Sequence, residues 1–156
     1  MILRRRKALA FRRDGDRTTV LLGPDERDLV AHLAGQFHAV VADDDAPPLT
    51  RLYPTAYVDD ADLQDDFASL VHDDLVRTRL DAADLVMATA RADALDDDEL
   101  AAWMQVLNGL RLLLGTRLDV SEEDGFDPEA DDAPQRALLA WLGFLLEEAV
   151  GAASDE

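Results

Sequence analysis

The sequence predicts a mostly α, single-domain helical bundle carrying a short N-terminal β-hairpin. Three observations lead there. Several stretches repeat apolar residues every three or four positions, each opening on proline or acidic residues suited to a helix N-terminus. Near the start, an Asp-Gly pair separates two short extended runs. The chain has 156 residues, 48% of them hydrophobic, against a prior of about 150 residues per domain, so one core is expected and can be supplied without disulfides or metal. The domain is expected over residues 1–150, with the hairpin at about 7–22 and an acidic tail, 151–156, that frays.

In order along the chain, Lys7 to Arg13 and Arg17 to Leu22 flank Asp14-Gly15-Asp16 as the two arms of the hairpin. Gly23-Pro24 opens a helix with Asp25, Glu26 and Asp28 at its positive end, and Leu29, Leu33, Phe37 and Val40, joined by Val30 and Val41, form its buried face. Asp43 to Pro48 reads as a surface loop, because each proline restricts its own backbone and the residue before it. Asp59 to Asp62 start a second helix with Leu63, Phe67, Leu70, Val71 and Leu75 in period. Leu80, Leu85 and Val86 read as a further turn or helix that Asp81 could cap. Asp96 caps a long helix faced by Leu100, Trp103, Leu107, Leu110 and Leu114, which Gly115 should end before an extended Thr116 to Val120. Ser121 to Asp132 is an acidic loop, and Pro134 starts a final helix with Leu138, Leu139, Trp141, Leu142, Leu145 and Leu146 facing inward.

Charge is unevenly spread. Residues 1–17 hold seven cations and two anions, while the formal charge of the whole chain is −19. The body should repel nucleic acid and anionic membranes. The basic head, Arg4, Arg5, Arg6, Arg12 and Arg13, could dock an acidic protein partner, touch phosphates, or fold back on its own acidic body; DNA contact by the head alone is the weaker option because the body opposes approach. The longest apolar run, Ala137 to Leu146, is half the roughly 20 residues a membrane helix needs, so a soluble cytoplasmic protein is expected.

Chemistry finds little anchor. Zero cysteines exclude disulfides, thiolate metal sites and thiol switches within this chain. His32 and His38 lie about 240° apart on a helix, which points them away from each other, and an EF-hand centred on Gly125 would need a carboxylate where Val120 stands. Ser69, Ser121 and Ser154 lack the nucleophile-elbow glycines, and no phosphate-cradling glycine pattern occurs. No metal, cofactor or catalytic residue is expected. What stands out is arginine among apolar residues: Arg77, Arg79 and Arg111. One reading is an internal network in which Asp65, Asp66, Asp73 and Asp74 satisfy these guanidinium groups, since an unpaired buried charge is strongly unfavourable. The other is a ligand or partner pocket formed by Arg51, Tyr53, Arg77, Asn108 and Arg111. Trp103 and Trp141 read as core residues.

The stretches Arg51-Leu52-Tyr53-Pro54-Thr55-Ala56-Tyr57, Asp73-Asp74-Leu75, Trp103 with Leu107-Asn108-Gly109-Leu110-Arg111 through Leu118, and Trp141-Leu142-Gly143 resemble the AosR-like family of actinobacteria, as does the basic Phe11-Arg12-Arg13 start. The resemblance covers nearly the whole chain. It implies an oxidative-stress transcriptional regulator, non-enzymatic, acting through contacts with transcription machinery; without cysteine, thiol-based sensing cannot operate in this chain. The expectation is therefore a regulatory interaction protein. The alternative is a small-molecule or anion-binding helical domain, or an enzyme, built on the Arg/Tyr/Asn positions.

Overall fold

The computed structural model describes residues 9–43, 61–118 and 131–154, with the backbone alone described for 61–72. Strands β1 (Phe11–Asp14) and β2 (Arg17–Val20) pair antiparallel, Asp14 opposite Arg17 and Phe11 opposite Val20. The two-residue connection needs a left-handed backbone, and Gly15 supplies it at φ 62°. The sheet has a third strand that periodicity does not announce: β3 (Ala94–Leu95) pairs antiparallel with β2, Thr18 opposite Leu95. Two residues are too few to show a period of two.

Helix α1 (Pro24–Ala42) begins as expected, with Pro24 in its first turn and the Gly23 N–H donating to the Glu26 carboxylate at 3.1 Å. Its buried face is Val30, Leu33, Ala34, Phe37 and Val41; Leu29 is exposed and Val40 half-buried, so the stripe is rotated slightly from the expected one. Helix α2 (Ala61–Thr89) is one continuous helix, which corrects the expected break: Asp81 is an exposed mid-helix residue and caps nothing. No glycine or proline interrupts residues 61–89, so no residue there favours leaving the helix.

A reciprocal capping box opens α3 (Asp97–Leu118): Asp96 Oδ1 accepts the Glu99 N–H and Glu99 Oε1 accepts the Asp96 N–H, both at 2.8 Å. The helix passes through Gly115, contrary to the expected stop, and Thr116 to Leu118 are helical rather than extended; Thr116 Oγ1 donates back to the Leu112 carbonyl at 2.8 Å. A glycine costs a helix interior about 1 kcal/mol, too little by itself to end a helix whose preceding turns are packed in the core. Residues 119–120 lie outside the described residues. Helix α4 (Ala133–Ser154) likewise outlasts expectation: Gly151 to Ser154 are helical, with Ala152 buried and Ser154 Oγ donating to the Val150 carbonyl at 2.9 Å.

The core lies where α1, α2, α3 and α4 meet the inner face of the sheet. Trp103 is fully buried and meets Phe11 edge-to-face, ring centroids 5.8 Å apart, which fastens the hairpin to the bundle. The Trp103 indole N–H donates to Thr89 Oγ1 at 2.8 Å, and that hydroxyl donates to the Leu85 carbonyl at 2.7 Å. Trp141 is half-buried. Among the described residues, α4 alone is long and apolar enough to cross a bilayer by length and composition; Leu142, Leu145 and Ala149 on it are buried in this core.

Candidate functional site

Two residues of the predicted pocket, Asn108 and Arg111, lie together on α3. Asn108 Oδ1 accepts a hydrogen bond from Arg111 Nη2 at 3.2 Å, one turn apart on α3. Arg111 is exposed, and its stem passes over Gly143 of α4. Arg77 is exposed on α2, and Arg51 and Tyr53 lie outside the described residues. The internal Arg–Asp network is not formed by Arg77 or Arg111: among the described residues no carboxylate pairs with either, and their exposure removes the desolvation cost that would have demanded one. Arg79 is half-buried.

The hairpin end of the basic head folds back. Arg13 donates to Asp97 at 2.8 Å and to the Gly15 carbonyl at 2.8 Å, and Arg12 pairs with Asp14 at 3.4 Å. Arg17 donates to the Ala94 carbonyl and lies 3.9 Å from Glu99. Arg4, Arg5 and Arg6 lie outside the described residues.

The arginine that does reach inside was not signalled by apolar neighbours. Arg27 of α1, half-buried, donates Nε to the Leu22 carbonyl, Nη2 to Val20, and Nη1 to Ala90 and Ala92, at 2.6–3.2 Å. It ties the exit of β2 to the turn that follows α2 and satisfies the carbonyls of Ala90 and Ala92 there. In the sequence it stands among Asp25, Glu26 and Asp28, where it reads as one more surface charge.

At the other end of the bundle is an open cleft of about 190 Å³. Helix α1 contributes Leu33, Phe37 and Val40 to its wall; α3 contributes Leu110, Leu113 and Leu114; α4 closes the third side with Leu138 and Leu142. Only two polar side chains reach it, Gln36 and Arg117, both exposed. Arg117 stands in the last turn of α3, where the helix dipole favours a cation, and no described residue hydrogen-bonds or pairs with it. Leucines and a phenylalanine at such a wall offer dispersion contacts and exclude water. They move no protons. The arrangement suits binding of an apolar group, with one cation and one amide to orient it.

Residues 8–153 match a family described as a domain of unknown function, DUF2017. The chain belongs to the DUF2017 family. No curated protein and no solved structure matches it. The matched span takes in the hairpin and the four helices apart from the last residue of α4, so Arg27, the Asp96 box and the cleft all lie within the DUF2017 domain.

The cleft went unread in the sequence because its wall uses the same leucines as the core. Leu110 and Leu114 mark a helical face whether that face meets a neighbour or an opening. The available signal was Arg117, a cation one turn beyond Leu113 and Leu114 in a chain with 34 acidic against 15 basic side chains.

Proposed function

We propose that this DUF2017 chain is a non-enzymatic regulatory binding protein: an apolar group seats in the cleft between α1, α3 and α4, and the protein acts through contacts with a protein partner. The apolar cleft itself carries this reading, because a wall of leucine, valine and phenylalanine with two polar side chains offers affinity without general acid–base chemistry. The finer reading, an AosR-like oxidative-stress regulator that engages transcription machinery in the cytoplasm, rests on the resemblance in Arg51 to Tyr57, Trp103 to Leu118 and Trp141 to Gly143. The absence of cysteine excludes a thiol-based response to oxidants within this chain. Charge supports docking: residues 1–17 are basic within a chain of net −19, a distribution that would orient an encounter and respond to salt.

The test is capture of partners by the full chain at low and high salt, beside Leu114→Trp, which fills the cleft. A component of the transcription apparatus that is retained at low salt, released at high salt and lost with Leu114→Trp supports the reading. Capture indifferent to both changes, or a specific partner with no role in transcription, overturns it.

A further inference from the structure

We infer that the cleft's ligand is a small amphipathic carboxylate, an apolar body of six to ten or so carbons whose carboxylate is held by Arg117 with help from Gln36. The inference deepens the proposed function and rests on its reading of the cleft as a binding site.

Size sets the first limit. A dry cavity of about 150 Å³ is enough to take benzene. At about 190 Å³, this cleft has room for a ring with a short substituent or a short alkyl chain, but not for a nucleotide or a long lipid. Lining sets the second. Phe37, Leu113 and Leu142 at its base are buried hydrophobics, so the body of the ligand must be apolar; a sugar or phosphate placed there would lose its hydration against groups that return no hydrogen bonds.

Charge sets the third. Arg117 lies at an apolar opening, unpaired among the described residues, in a protein where acidic side chains outnumber basic ones by more than two to one. Arg12, Arg13, Arg17 and Arg91 find carboxylates in the same fold; Arg77 and Arg111 find none among the described residues, but unlike Arg117 neither lines the cleft. A guanidinium presents a planar fork of donors that matches a carboxylate, and the Gln36 amide can donate to the same group. One cation favours one negative charge. An uncharged amphiphile forfeits that interaction, and a cationic one is repelled.

The experiment titrates the full chain, below micelle-forming concentrations, with octanoate, octanol and octylamine, following heat and the amide resonances of α1, α3 and α4. Octanoate should bind about fivefold more tightly than octanol, the scale of a partly exposed ion pair, and octylamine most weakly. Arg117→Gln should erase the octanoate advantage while leaving octanol unchanged. Leu114→Trp should abolish binding of both, and Leu138→Phe serves the same purpose if that variant does not fold. Equal affinity for octanoate and octanol, an advantage that survives Arg117→Gln, or no binding of any probe overturns the inference. If a transcription partner is still captured, and lost with Leu114→Trp, while no probe binds, the ligand assignment falls and the regulatory reading stands. If capture fails too, both fall.

Discussion

The two ends of the bundle each place an arginine beside the end of a helix, and they treat it in opposite ways. At the hairpin end, Arg27 reaches carbonyls of the turn that follows α2 and those leaving β2, and all four of its hydrogen bonds run to backbone. At the cleft end, Arg117 sits in the last turn of α3 over an apolar opening, with no bond to any described residue. The same side chain serves closure in one place and is left available in the other. Burial and satisfied donors mark a structural arginine; exposure at an apolar cleft with donors unused marks one whose partner is a separate molecule.

The sharpest way to break that comparison is the same substitution at both positions. Arg27→Gln should cost about 3 kcal/mol in a urea melt, because hydrogen bonds from a charged donor contribute more than neutral ones and a shorter amide cannot span four carbonyls. Arg117→Gln should stay within about 0.5 kcal/mol of the parent, as surface substitutions away from such features do. Equal losses would place Arg117 in the fold rather than in a site.

A second effect, of about 2 kcal/mol, is expected at the floor shared by core and cleft. A Cβ on Gly109 would stand 2.5 Å from Phe37 Cε1 and 2.7 Å from Cζ, so the ring, 1% exposed and at the base of the cleft, would have to shift out of its packing. Gly109→Ala gains helix propensity but overpacks, and overpacking wins. Phe37→Leu in the Gly109→Ala background should recover part of the loss; strict additivity in that double-mutant cycle would show the close approach to be unimportant.

What the sequence made legible follows from how local each determinant is. The Gly15 turn, the Pro24 start and the Asp96 box are chemistry within four residues, and each stands where the pattern put it. The helix ends at Gly115 and Gly151 were misplaced because glycine permits a stop without enforcing one; around Gly151, burial of Ala149 and Ala152 keeps α4 going. β3 and Arg27 were invisible for another reason: their partners, Thr18 and Thr19 for one and Ala90 and Ala92 for the other, are brought close only by the finished fold. Arg77 and Arg111, set among apolar residues in the sequence, are both exposed, since an arginine one position off a helix's apolar stripe points outward.

Local determinants can be graded by the same melts. Asp96→Ala removes one half of the box at the start of α3 and should cost about 1 kcal/mol, the usual scale for a lost N-cap. Asp96→Asn, which keeps the acceptor oxygen, should recover most of it. A loss of equal size in both variants would assign the effect to charge near the helix N-terminus instead of to the cap.

A last contrast, whose smaller member is the smallest effect expected, separates two threonines that burial alone would rank together. Thr89 is 6% exposed and its hydroxyl lies between the Trp103 indole N–H and the Leu85 carbonyl, so Thr89→Val strands a buried donor and should cost about 1 to 2 kcal/mol. Thr18, on β2 against Leu95, is 0% exposed, yet its Oγ1 has no hydrogen-bond partner among the described residues. A buried hydroxyl without a partner pays its desolvation and recovers nothing, while valine has nearly the same shape and suits a strand at least as well. Thr18→Val should therefore leave stability unchanged or raise it by up to about 1 kcal/mol. A clear loss at Thr18 would mean that its hydroxyl bonds to a water held inside the sheet. The contrast with Thr89 would then be one of partner identity, and the hairpin end would be closed by solvent as well as by Arg27.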